Sequence, residues 1–255
     1  MSGRAGGDFD YEANGQGYAL QRRPDPRIAA FVHEALGAAR SVLNVGAGAG
    51  SYEPLDRLVL AVEPSAAMRA QRPPHLAPAI RAVAEDLPCD DLSVDAAMAL
   101  VTVHQWADLA RGLSEMRRVA RGPVVVLTFD GDALDRFWLA DYVPELVAVE
   151  RRRYPPIERI GALIGRRSVV RSVPIPVDCR DGFTEAFYAR PEGLLDPAVR
   201  QAQSSWSFAE PGAEMRFVAR LAEDLQSGAW DARHGALRRT PFFDGSLRLV
   251  IGYPE

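Results

Sequence analysis

Five short apolar runs follow one another at near-regular spacing: SVLNV (41–45), RLVLAV (57–62), AIRAVA (79–84), DAAMALVTV (95–103) and GPVVVLTF (122–129). They are almost continuously apolar, whereas a strand with one wet face would alternate. Such runs suit strands buried on both sides, as in a parallel sheet sandwiched between helices. Ahead of the fifth run, WADLARGLSEMRRVAR carries Leu109, Leu113, Met116 and Val119 on one helical stripe. The pattern predicts a doubly wound α/β core over about residues 40–130.

The flanking segments read differently. Residues 1–24 form a polar, glycine-rich stretch carrying Phe9, Tyr11 and Tyr18, as a flexible arm would. Pro26 can open a helix through RIAAFVHEALGAA, whose Ile28, Phe31, Val32, Ala35 and Leu36 share a face. Past the core, DALDRFWLADYVPELVAVERRRY predicts an aromatic-rich helix and RRSVVRSVPIPV (166–177) a strand. Two helical stretches follow, and DGSLRLVIGY (244–253) shows a turn signal and then alternation, as a last strand would. The expected organisation is a single domain over 25–255 with a helical insertion at about 178–243. An insertion rich in aromatics suits a wall or lid over a pocket, and equally a plain cover for the sheet.

Composition narrows the chemistry. All 30 basic residues among the 255 are arginine. No Schiff-base lysine can form, and no lysine-bearing phosphate loop exists. A net charge of −4 offers no basic field for nucleic acid. Cys89 and Cys179 are far apart, and His33, His75, His104 and His234 form no pair with metal-ligand spacing, so neither a disulfide framework nor a metal site is expected. No apolar run approaches the ~20 residues of a membrane span and the polar start lacks a signal-peptide pattern, which together predict a cytoplasmic protein.

Between the first two runs lie Gly46, Gly48 and Gly50. Glycines there accept positive φ and let a ligand approach the backbone. Glu63 closes the next run, where a carboxylate can accept from both hydroxyls of a ribose. A dinucleotide fingerprint would place glycine at position 51, which is Ser51. Only residues 46–57 join the two runs, near the ~10–12 minimum for a crossover, and Pro54 lies among them. That path hardly accommodates the substantial helix whose N-terminus holds a pyrophosphate. A nucleoside cofactor without phosphates would not need it.

VLNVGAGAG, then VEPS, then AEDLPCDD resemble the class I S-adenosylmethionine (SAM)-dependent methyltransferases, closest to the small-molecule branch with ubiquinone-type and trans-aconitate-type relatives. GSYEP and VTVHQWAD are similar to an actinobacterial subgroup of these enzymes. The resemblance covers residues 41 to about 129. It implies a mainly parallel, seven-stranded Rossmann-like sheet with the final strand antiparallel. It also implies SAM as cofactor and S-adenosylhomocysteine as product. Gly46, Ala47 and Gly48 would pass under the methionine moiety, and Glu63 would hold the ribose. Pro64 and Met68 would pack near the adenine, whose edge would meet Ala84 and Glu85, and Leu100 would lie beside the methionine amine. Two positions depart from the pattern: Asn44 stands where an acid usually precedes the first glycine, and Val83 where an acid often reads the adenine amino group.

SAM carries an activated methyl, so the protein mainly positions the acceptor and sometimes supplies a base. His104 follows the fourth run, at the sheet edge where open α/β folds bind ligands, and serves either as that base or as pocket wall. Trp106, Trp138, Tyr142, Phe183 and Tyr188 are candidates to line an apolar acceptor pocket. Tyr18 and Arg22, with Arg23 as alternative, are candidates to fold over the cofactor, an arginine meeting the methionine carboxylate. The expected activity is methyl transfer to a small molecule, at oxygen, with no nucleic-acid or membrane partner. The competing readings are an NAD(P)-dependent oxidoreductase, a nucleic-acid methyltransferase and a non-catalytic SAM-binding protein.

Overall fold

The apolar runs become strands in the computed structural model, which describes residues 9, 10, 12 and 18–254. Strands β1 (Ser41–Val45), β2 (Leu58–Val62), β3 (Ala96–Leu100) and β4 (Val124–Phe129) lie parallel in the order β2-β1-β3-β4. Beyond β4 come the last strand, β8 (Leu247–Tyr253), and then β5 (Arg167–Ser172), and β8 is antiparallel to both neighbours.

Alternate residues of each central strand enter two separate cores. Val42, Met98, Val125, Leu127 and Leu249 face one, and Leu43, Ala97, Ala99, Val124, Val126 and Val250 face the other. That is why the runs do not alternate in polarity. Helix α2 (Pro26–Ala35) covers the first face with Ile28 and Val32. Its N-cap is the buried Asp25, which accepts from Arg27 N. Helix α4 (Leu109–Val119) covers the second with the expected stripe of Leu113, Met116 and Val119, and Asp108 caps it. Edge strand β5 exposes Arg167 and half-exposes Arg171, charges that discourage pairing with another chain.

Three expectations need correction. The third run, 79–84, forms no strand, so the sheet has six strands among the described residues rather than seven. Ile80 alone bridges Val62, and Val83 turns back to Asp86. Among the described residues nothing covers the outer side: Ile80 and Val83 are 51% and 37% exposed, and Pro78 removes a donor just upstream. The helix expected over 132–154 breaks into two 3₁₀ turns, Gly131–Arg136 and Trp138–Asp141, and helix α5 (Pro144–Arg153). Proline is tolerated only in a first turn, so α5 starts at Pro144. Unforeseen helix α6 (Ile157–Ile164) follows Pro156 and buries Ile157, Ile160 and Ile164 on the second face.

The run 166–177 also divides. Its end, β6 (Ile175–Pro176), leaves the main sheet and pairs with β7 (Phe242–Phe243), tying off the insertion at its base. Between them, 3₁₀ turns predominate up to Phe208. Helices α7 (Pro197–Gln201), α8 (Ala213–Ser227) and α9 (Ala229–His234) complete the insertion. No helix among the described residues is long and apolar enough to cross a membrane.

Candidate functional site

The C-terminal ends of β1, β2 and β3 open on a cavity of about 390 Å³. β1 runs directly into Gly46 (φ 68°) and Gly48 (φ 51°). Ala47 N donates to Val62 O at 2.9 Å, which curls this turn over the end of β2. A Cβ on Gly46 would collide with Thr102 Oγ1, so the position demands glycine for space as well as for φ. Residues 46–57 carry no helix, and hence no helix N-terminus points from this crossover into the cavity.

Glu63 follows β2 and is 7% exposed. Its carboxylate accepts from Gly48 N and Ser65 N, each at 2.8 Å, locking the glycine turn to the segment that starts helix α3 (Ala66–Ala70). Burial pushes the carboxyl up from its ordinary value, against the pull of those two N–H groups. Asn44 donates from Nδ2 to Glu53 Oε1 at 2.9 Å, and Glu53 pairs with Arg72 at 2.9 Å. The carboxylate missing from position 44 is thus supplied one layer behind it. Among the described residues Asn44 Oδ1 is buried without a hydrogen-bond partner, an acceptor able to serve a ligand's N–H in the cavity its residue lines.

Eleven of the expected cofactor residues line this one cavity: Arg22, Asn44, Gly46, Ala47, Gly48, Glu63, Pro64, Met68, Ala84, Glu85 and Leu100. Tyr18 begins the short helix α1 (Tyr18–Gln21), and its side chain lies outside the described residues. Trp106 also lines this cavity, packed against Gly112 of α4. Trp138, Tyr142 and Tyr188 line neither cavity. They are buried in the core cluster of the first face, where Trp138 meets Trp230 edge-on at 5.7 Å.

A smaller cavity of about 40 Å³ adjoins the first, and Arg22 and Val101 line both. His104 lines it from a 3₁₀ turn, Val103–Gln105, with its ring edge-on to Tyr154 at 4.9 Å. Phe183 lines it too. The wall residues that sequence reasoning missed include Tyr52, Val101, Asp181 and Glu150. Asp181 accepts from Arg22 Nε and from Tyr52 OH, both at 2.6 Å, so it ties the glycine loop, the arm and the insertion together. Val101 sits at φ 54°, a strained value for a β-branched residue at the partition between the cavities.

Glu185 lies on the far wall of the smaller cavity, 2% exposed, and accepts from Ser246 N and Ser246 Oγ. Burial pushes its carboxyl up to about 7; Ser246 and Arg248 oppose this, and Glu150 adds to it. A carboxyl raised on folding stabilises fully below its unfolded value, and that stability is lost as pH rises through the folded value. Glu185→Gln should therefore remove a loss on the order of 3 kcal/mol between about pH 5 and about pH 8. The amide keeps an acceptor for Ser246 N and offers a donor to Ser246 Oγ. Urea melts at the two pH values check this, and parallel curves for wild type and variant would refute it.

Comparison with known proteins agrees with this geometry. Residues 43–126 match the family model described as a methyltransferase domain. A crystal structure from Anabaena variabilis, described as a methyltransferase assigned to an antibiotic biosynthesis pathway, is 30% identical. It superposes with a TM-score of 0.84, covering 91% of this chain and 98% of that one. A Mycobacterium tuberculosis protein described as an uncharacterized methyltransferase is 40% identical over 94 residues, 33% of this chain; the chain spans 37% of that relative's length. A Thermotoga maritima structure described as a SAM-dependent methyltransferase is alike in fold alone, at 16% identity and TM-score 0.56, covering 96% and 98% of the two chains. The chain belongs to the class I SAM-dependent methyltransferases.

Proposed function

We propose that this chain binds SAM in the larger cavity and transfers its methyl group to an oxygen of a small-molecule acceptor held in the smaller one. The observation that carries this reading is the convergence of the arm, the glycine turn, the Glu63 and Ala84–Glu85 segments and the end of β3 on one cavity. The crossover there contains no helix that would hold a pyrophosphate. When bound, SAM supplies a methyl group made electrophilic by its sulfonium. Glu63 receives the ribose hydroxyls, and Asn44 Oδ1 accepts from the methionine ammonium. Arg22 meets the methionine carboxylate at the partition. His104 orients the acceptor hydroxyl or takes its proton as the oxygen attacks the methyl carbon. Space for only a small head group beyond Val101 favours a small acceptor over a nucleic acid.

Glu63→Ala should weaken S-adenosylhomocysteine binding at least tenfold, about 1.4 kcal/mol. Isothermal titration on the folded variant decides it: unchanged affinity removes the ribose assignment. Titration of the wild type with NADH separates the oxidoreductase reading, and binding of NADH alone would overturn the proposal.

A further inference from the structure

The walls of the smaller cavity carry more charge information than a hydroxyl acceptor needs. Glu150 and Glu185 both line it. Neither forms an ion pair among the described residues. Arg22, the arginine on the same wall, already pairs with Asp181 at 2.6 Å. Arg153 turns its guanidinium over the Phe208 ring at 4.5 Å and donates to Ser204. Arg248 donates to Gly245 O and Leu247 O. Among the described residues, the cavity wall therefore carries two carboxyls that no arginine pairs, with His104 on the same wall.

A second feature of the same walls is independent of the charges. Phe129, Tyr154 and Phe183 form a continuous aromatic surface, with ring centroids 5.3 and 5.4 Å apart from Phe129. Aromatic faces attract an ammonium through their quadrupole, most strongly where water is excluded. About 40 Å³ holds roughly three waters, the size of a methylated amine head group.

We infer that the acceptor carries a cationic amine, seated against Glu150 and Glu185 and flanked by Phe129, Tyr154 and Phe183. This rests on reading the smaller cavity as the acceptor side of the methyl-transfer site. It excludes carboxylic-acid acceptors, whose charge the two carboxyls repel. A neutral alcohol leaves both carboxyls without a countercharge, Glu185 keeping only its Ser246 donors. Burial pushes both carboxyls up from their ordinary values, the behaviour of acids that a bound cation would stabilise in ionised form.

Phenethylamine, phenethyl alcohol and phenylacetate share a skeleton and differ in head-group charge. Titrated near neutral pH into the full chain saturated with S-adenosylhomocysteine, the amine should bind at least about tenfold tighter than the other two. In Glu150→Gln, amine affinity should fall to that of the alcohol while S-adenosylhomocysteine affinity stays unchanged. Equal or tighter binding of the alcohol or the acid overturns the inference. So does absence of amine binding at millimolar concentration to the cofactor-saturated wild type, or undiminished preference for the amine in both Glu150→Gln and Glu185→Gln. Failure of S-adenosylhomocysteine itself to bind would instead overturn the proposed function, so the two failures are distinct.

Discussion

Gly46→Ala should lower S-adenosylhomocysteine affinity at least about 100-fold, roughly 2.7 kcal/mol. Two costs coincide at this position. The residue sits at φ 68°, which an L side chain occupies at about 1–2 kcal/mol. Its added methyl would collide with Thr102 Oγ1, and Thr102 lines the same cavity. Relief requires the glycine turn or the start of the Val101–Thr102 segment to move, and both are cavity wall. Gly37→Ala is the matched control: φ is 56° there, but no atom lies within 4 Å of the added carbon. It should cost stability and leave affinity untouched. Gly46→Ala combined with Thr102→Ala should recover part of the lost affinity, because the atoms in collision are gone. Wild-type affinity in Gly46→Ala would show that the turn does not shape the cofactor cavity.

The parts of the molecule legible in sequence are those governed by short-range rules. Strands β1, β3 and β4 announced themselves because burial on both faces leaves little room for polar residues, and α4 because its stripe repeats at helical spacing. The third run carried the same apolar signal and failed: among the described residues only Ile80 bridges Val62, and Ile80 stays 51% exposed. Most of the wall of the larger cavity was readable through its motifs. The glycine turn and Glu63 lie within one chain segment, whose local conformation decides their positions. The acceptor side was not. Asp181 meets Tyr52 across 129 positions and Arg22 across 159, and nothing in the local sequence of any of the three encodes that meeting. Aromatic content alone could not sort Phe183, which reaches the small cavity, from Trp138 and Tyr142, which fill the core of the insertion. Nor could it single out Glu150, one position in a helix whose last turn is Arg151, Arg152 and Arg153.

Asp181→Ala should be the most destabilising single change at the site, and its cause can be separated from its effect on binding. The Arg22 and Asp181 side chains are 9% and 3% exposed. Removing one partner of a buried pair leaves an uncompensated charge, which costs about 3–5 kcal/mol. For a chain of this length that is a fall in melting temperature on the order of 10 °C. Tyr52 OH loses its acceptor in the same stroke, at a backbone position already held at φ 63°. Arg22→Leu combined with Asp181→Leu removes both charges, and should regain most of the lost stability, since apolar replacement of a buried pair is often neutral. The double variant should nevertheless bind SAM more weakly than wild type, because Arg22 is the proposed partner of the methionine carboxylate. Calorimetric melting and titration with S-adenosylhomocysteine on the same samples give the two readouts. Recovery of stability and affinity together would make the pair a fold element alone. Recovery of stability without affinity assigns Arg22 to the cofactor, with Asp181 as the group that aims it.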